Sequence, residues 1–237
     1  MFQSHSIPRR QLIGAGGSLL MLVAFARAQA ADMLSSISQG DASAGVRAAL
    51  EKGAGFAVDS LGKTDGFWAN DKVRIPLPDW LQKGEKALRM VGRGKDVDDL
   101  HVGINRAAEQ AVPAARPLLV NAVHSMSVQD AKGILTGGDD SVTRFFETHT
   151  RSPLHDKFLP IVGGVTQKIG LAQRYDQLVD KAGSFGLVKP GDSKIAPYVT
   201  GKGLDGLFVM ISEEEKKIRA DPIGTGSAIL KKVFGAL

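Results

Sequence analysis

The chain has 237 residues, of which 43% are hydrophobic and 23% are charged, a composition typical of a globular protein with a sizeable core. It contains no cysteine, which excludes disulfide bonds, thiolate nucleophiles and thiolate metal ligands. The formal net charge is +5, but three of the 30 basic residues lie in the first thirty positions. The residues after position 30 include 27 basic and 25 acidic side chains and have a net charge of only +2, which argues against a nucleic-acid partner.

Residues 1–30 have the pattern of a cleavable export signal. Arg9 and Arg10 provide a positive start, and an apolar run of about 15 residues follows, which is short for a membrane span. A small-x-small triplet ends at Ala30 and predicts cleavage before Ala31. The paired arginines favour a twin-arginine signal, and a general secretory signal is the alternative. We therefore expect a periplasmic protein whose mature chain has no transmembrane segment.

The first helix of the mature chain is predicted to begin at Asp41 or Ser43 and to end at Gly62. Its apolar residues recur at helical spacing: Val46, Leu50, Ala54, Ala57 and Leu61. Gly53 and Gly55 lower the helix propensity, and we interpret them as positions at which another helix comes close.

The segment from residue 63 to residue 78 is the least helical part of the chain, and it is predicted to be irregular or to form a short hairpin. Residues before proline are pushed out of the α region, so the Ile-Pro-Leu-Pro run at 75–78 must be extended. A helix that begins at Asp79 follows. Its apolar face is expected to contain Leu81, Leu88 and Val91.

The longest helical pattern lies between Asp96 and Phe146. Apolar residues step by three or four positions along it: Leu100, Ile104, Ala108, Ala111, Ala115, Leu119, Ala122 and Met126. Pro113 and Pro117 interrupt this pattern, and each removes a backbone donor and crowds the preceding turn. We therefore predict a kink or a break in the helix at these prolines.

A short helix is predicted next, because Ser127 and Asp130 have the spacing of a capping box. Glycines 137 and 138 are expected to end it through a positive φ angle. Asp139 or Asp140 is then expected to cap the following helix.

A further helix start is predicted at Ser152-Pro153, with a disturbance at Pro160. Another helix carries Leu171, and residues 184–193 are a loop rich in glycine and proline. A long helical pattern runs from 197 to 219, and the charged run at 213–217 is most simply a solvated face. A last helix is predicted to carry Ile229, Leu230, Val233 and Phe234.

The candidate binding residues are polar groups close to the apolar face of the central stretch. Arg106 and Glu109 are three residues apart and can pair along one helix face, with Asn105 beside them. Asp130 and Asp139 belong to an acidic group that could ligate calcium or act as an acid and a base. The alternative is that the pair fixes how helices dock and that the acids cap helices.

The remaining motifs argue against a cofactor or a metal. Residues 201–206 match GxGxxG, but a dinucleotide site needs a preceding strand, and this stretch has a helical pattern, so the glycines indicate close helix packing or a kink. The histidines after residue 30 are not paired at metal-ligand spacing. We predict no cofactor and no metal site.

Several short motifs resemble one family of exported bacterial proteins, the domain of unknown function 4197. The motifs are Asn105 to Glu109, Asp130-Ala131, Gly137 to Asp139, Thr143, Phe146, Leu204 to Phe208, Glu215, Ile218-Arg219 and Lys232 to Gly235. The resemblance covers roughly the whole chain after the signal. It implies an exported, helical protein without an assigned activity, and it transfers no catalytic residue.

The mature chain, residues 31–237, is thus predicted to be a single all-α, multi-helix domain with one irregular or short hairpin segment. Three hypotheses follow for its function. The first is a non-catalytic module that holds a protein partner or a small apolar ligand in a groove between helices rich in alanine and glycine. The second is a periplasmic enzyme in which Arg106, Glu109 and an aspartate converge in a cleft. The third is a structural envelope protein with a large exposed apolar patch.

Overall fold

A computed structural model describes residues 39–183 and 194–221. The predicted signal, the loop at 184–193 and the last helix lie outside these residues. The described helices are α1 Gln39–Leu61, α2 Asp79–Met90, α3 Gly94–Ala111, a 3-10 helix Val112–Ala115, α4 Arg116–His124, α5 Val128–Thr136, α6 Ser141–Lys168, α7 Leu171–Gly183 and α8 Ile195–Ala220. The described part of the chain contains no strand, so the predicted all-α class is confirmed.

The core lies around α6 and α8, which form the most extensive helix pair. Helix α3 packs against both of them, and α1 packs against α8, α4 and α5. The segment between α1 and α2 consists of turns and extended backbone, so of the two alternatives for residues 63–78 the irregular one is correct. Phe67 of this segment is completely buried and joins the helices in one core.

The predicted break at the central prolines is confirmed. Helix α3 ends at Ala111, a single 3-10 turn contains Pro113, and α4 begins at Arg116. Pro117 lies in the first turn of α4, where the backbone nitrogen needs no intrahelical partner. The helical hydrogen-bond pattern is therefore interrupted where the prolines are tolerated.

The predicted helix start at Ser152-Pro153 is wrong, because α6 runs without interruption through Pro153 and Pro160. Each proline removes one intrahelical hydrogen bond and costs about 3 kcal/mol or more. Burying each of Leu154, Phe158 and Val162 stabilises the folded state by about 1.5–3 kcal/mol. Both prolines lie on the exposed face of α6, so the apolar stripe continues past them.

Helix α5 ends and helix α6 begins near residue 137, as predicted, but not for the predicted physical reasons. Gly137 ends α5 with a φ of −79°, not with a positive angle. A Cβ atom there would lie 2.6 Å from the Gly133 carbonyl oxygen and 2.6 Å from the Ser141 Cβ, so close approach requires the glycine. Asp140 precedes α6 but makes no side-chain cap, and its carboxylate accepts from Arg144 at 3.0 Å.

Two smaller expectations also need correction. Val91 is 70% exposed at the end of α2, although Leu81 and Leu88 are buried as predicted. Gln39 already lies within helix α1, so the helix does not begin at Asp41 or Ser43. Helix ends fray and depend on local contacts that apolar periodicity does not report.

The GxGxxG match lies inside α8, and its last glycine brings that helix close to the irregular segment. A Cβ atom on Gly206 would lie 2.6 Å from the Phe67 ring and 3.3 Å from the Val73 Cβ. On Gly201 it would meet nothing within 4 Å. The close-packing interpretation of these glycines therefore holds for Gly206.

We expect Gly206→Ala to lower the free energy of unfolding by about 1–3 kcal/mol, because the completely buried Phe67 ring must move. The control Gly201→Ala should raise it by up to about 1 kcal/mol through helix propensity alone. Urea unfolding of both variants measures these changes. A Gly206→Ala protein as stable as Gly201→Ala would contradict the close packing.

Candidate functional site

Three of the predicted polar residues meet the irregular segment from one face of α3. Glu109 is buried, and its Oε1 accepts hydrogen bonds from the backbone N–H groups of Phe67 at 3.1 Å and Trp68 at 3.2 Å. Its Oε2 accepts from Arg106 at 2.8 Å. The predicted pair at i,i+3 therefore exists, and its carboxylate also binds the backbone of a distant segment.

Asn105 binds the same segment further along the chain. Its side-chain oxygen accepts from the Ile75 N–H at 2.8 Å, and its amide nitrogen donates to the Ile75 carbonyl at 3.0 Å. His101 lies one turn earlier on α3, 3.2 Å from the same carbonyl, and its ring meets Trp68 edge-on. Burial lowers the pKa of His101, and the contact with Ile75 partly offsets this effect.

Arg106 completes what we call the segment clamp, consisting of Asn105, Arg106 and Glu109. Its guanidinium donates to Glu109 and, at 2.7 Å, to Asp65, which has a positive φ of 67°. The hydrogen bonds with Glu109 and Asp65 raise the pKa of Arg106. The clamp therefore holds the chain between α1 and α2 against α3.

Asp130 and Asp139 do not join the clamp. Asp130 forms the predicted capping box, in which Ser127 Oγ accepts from the Asp130 N–H at 3.1 Å and Asp130 Oδ2 accepts from the Ser127 N–H at 2.9 Å. The hydrogen bond with the Ser127 hydroxyl lowers the pKa of Asp130. Asp139 is exposed in the turn before α6.

A second polar cluster surrounds the start of α6, and its central residue was not among the predicted site residues. Glu215 of α8 accepts hydrogen bonds from the N–H groups of Val142 and Thr143, both at 3.0 Å, and from the Thr143 hydroxyl at 3.0 Å. Arg219 donates to Glu215 at 2.9 Å and also to the Ile134 carbonyl at 3.1 Å. A carboxylate from another helix thus caps α6 and faces the positive end of its dipole.

Glu215 was predicted to lie on a solvated face, but its side chain is only 1% exposed. The sequence indicates this burial through the position of Glu215 in the helix and not through its charge. Leu204, Phe208, Ile211 and Ile218 are buried along α8, and Glu215 falls in the same stripe at steps of three or four. An acid on an apolar stripe indicates a buried partner, whereas the neighbouring acids lie off it.

A narrow apolar groove opens beside this cluster, between α1 and α8 and next to the start of α6. The residues lining this α1–α8 groove are Ala49, Leu50, Gly53, Ala54, Val142, Ile211, Glu215, Ile218 and Arg219. The cavity in it has a volume of about 20 Å³, room for about one water molecule. Ala49 and Ile218 pack on each other separately from the main core, so the groove extends outside it.

The described residues contain no group of three or more histidine or acidic side chains placed to hold a metal. The Glu215 oxygens already accept from two amides, two hydroxyls and a guanidinium, and Glu109 accepts from two amides and a guanidinium. None of the helices within 39–183 and 194–221 combines the length and the hydropathy needed to cross a membrane.

Comparison with known proteins gives one match. A family model described as "Protein of unknown function (DUF4197)" matches residues 36–235. No curated protein and no solved structure matches the chain. The matched range contains the segment clamp, the cluster at the start of α6 and the α1–α8 groove.

Proposed function

We propose that this chain is an exported, non-catalytic binding module whose α1–α8 groove receives an apolar segment of a partner protein. The chain belongs to the DUF4197 family of proteins of unknown function. Export is supported by the paired arginines, the apolar run and the cleavage triplet of residues 1–30. The groove carries the proposal. The α1 wall consists of Ala49, Leu50, Gly53 and Ala54, so it includes the small residues on which the groove hypothesis depends.

The size of the groove favours a protein partner over a small apolar ligand. Small-molecule sites usually enclose about 300–1,000 Å³, whereas this cavity has a volume of about 20 Å³. A helix or an extended segment can instead lay a few apolar side chains along a shallow groove. Phe56, at 46% exposure, lies one turn beyond Gly53 on α1, and Lys217 of α8 lies over its ring.

The other two hypotheses have less support. An enzyme would need Arg106, Glu109 and an aspartate to converge in a cleft, but Asp130 caps α5 and Asp139 is exposed elsewhere. A structural envelope protein would need a large apolar patch. The large apolar residues exposed in the described part are instead spread over several helices and connections: Phe56, Met90, Val91, Val128, Ile169 and Val209.

We expect Gly53→Gln to abolish partner binding, because a polar side chain then occupies the apolar groove. A Cβ atom at Gly53 makes ordinary contacts, 3.6 Å from Ile218 and 3.7 Å from Glu214, so the α1 backbone need not shift to accept its first side-chain atom. The measurement is quantitative mass spectrometry of the envelope proteins that co-purify with the tagged mature chain, with recovery of the partner expected to fall at least about tenfold, or 1.4 kcal/mol.

The matched control is Gly133→Gln on α5. Gly133 is an exposed helical glycine at which an added Cβ atom would meet nothing within 4 Å, so the two variants share the same gain in helix propensity. Partner recovery should equal that of the unchanged protein. A set of co-purifying proteins that is identical in all three preparations would refute the groove as a binding site.

A further inference from the structure

We propose that the resting occupant of the α1–α8 groove is the chain's own C-terminal segment, residues 222–237, and that a partner must displace it. This inference rests on the proposed function and adds a regulatory element to it. The segment lies outside the described residues. Its assignment to the groove follows from the lining of the groove, from the point at which α8 ends, and from the sequence after that point.

The chain leaves α8 directly beside the groove. Ile218 and Arg219 line it, and the helix ends at Ala220. Pro222 follows Asp221, whose backbone is non-helical at φ −139° and ψ 77°, so α8 ends before this proline. Glycines at 224 and 226 then permit a change of direction before the next apolar residues.

The segment has the composition that the groove accepts. Its apolar residues fall on one face at helical spacing: Ile229, Leu230, Val233 and Phe234. Lys231 and Lys232 fall between them, on the opposite side of the predicted helix. Such an amphipathic segment can lay its apolar face along a groove between two helices.

The distance is also suitable. Ile229 follows Asp221 by eight positions, enough to span up to about 26 Å when the chain is extended. The groove begins at Ile218, only three residues before Asp221. A tether this short gives a local concentration in the millimolar range, so even weak contacts keep the groove occupied until a stronger partner arrives.

The absence of natural cysteines allows a direct test by disulfide trapping in the full mature chain. Gly53→Cys is paired with Leu230→Cys, and the control pairs Lys216→Cys with the same Leu230→Cys. Lys216 is exposed on α8, only five residues before Asp221, so a freely moving segment would reach the control cysteine at least as easily. Peptide mapping after mild oxidation measures the rate at which each intrachain disulfide forms.

We expect the Gly53 pair to form at least about tenfold faster than the Lys216 pair, as a high local concentration at the groove requires. Phe56→Cys with Leu230→Cys provides a second pair on the exposed edge of α1, should Gly53→Cys fold poorly. Equal rates for the groove and control pairs would overturn the proposal. Disulfides between two chains would also overturn it and would indicate a second copy as the occupant.

The disulfide-trapping experiment and the partner-recovery experiment test the two proposals independently. If the segment is not trapped but Gly53→Gln still abolishes partner recovery, the groove is a binding site without an internal occupant. If the segment is trapped and no partner depends on Gly53, the groove is an internal docking site and the proposed binding function is wrong.

Discussion

Glu215→Ala is expected to lower the free energy of unfolding by about 3–5 kcal/mol, because it leaves the largely buried Arg219 guanidinium without its carboxylate. The N–H groups of Val142 and Thr143 also lose their acceptor at the start of α6. Since α6 and α8 form the main helix pair of the core, the loss should appear in global unfolding. Urea denaturation followed by circular dichroism measures it.

Two further variants separate this buried role from charge alone. Glu215→Gln retains the shape but replaces one acceptor oxygen by a donor, so its stability should lie between those of the unchanged protein and Glu215→Ala. Glu213→Ala removes a partly exposed acid of the same run, which pairs with the exposed Lys72 and Lys216, and should shift the urea midpoint little. Equal losses for Glu213→Ala and Glu215→Ala would show that the capping contact contributes nothing specific.

Asn105→Ala is expected to cost about 3 kcal/mol, because the buried N–H and carbonyl groups of Ile75 both lose a hydrogen-bond partner. The effect should be concentrated in the irregular segment between α1 and α2. Hydrogen exchange of the Ile75 amide is the appropriate local measurement, and it should become faster than that of the α6 amides.

The matched control is Asn121→Ala, which removes an exposed amide side chain from α4. Its effect on unfolding should be within about 0.5 kcal/mol. If Asn105→Ala leaves both the stability and the Ile75 exchange rate unchanged, the segment is held by apolar packing alone and the clamp has another role.

Sequence patterns predicted the helices of this protein well where a pattern had only one structural outcome. The apolar spacing from Val46 to Leu61 became the buried face of α1, and Ser127 with Asp130 formed the expected capping box. Proline was less predictable. Pro113 does interrupt the helical pattern, but Pro153 does not, because its helix is held by buried residues on both sides of it.

The candidate site was harder to predict, because contacts between distant segments decide it. Glu109 and Arg106 share one helix, so their pairing could be predicted from their spacing. The backbone N–H groups that donate to Glu109 lie more than forty residues away in sequence, and no local pattern predicts that contact. Glu215 looked like part of a charged surface run until its position in the apolar stripe of α8 was considered. The groove depends on how α1 crosses α8, which no local pattern encodes.

The proposed function requires that the chain is exported and that it binds a protein in the α1–α8 groove. Native mass spectrometry of the protein released from the periplasm tests it most directly. We predict a chain that begins at Ala31, in a complex with a second polypeptide that is lost in Gly53→Gln and kept in Gly133→Gln. A bare chain in every preparation, a chain that retains residues 1–30, or a complex that survives Gly53→Gln would contradict the account.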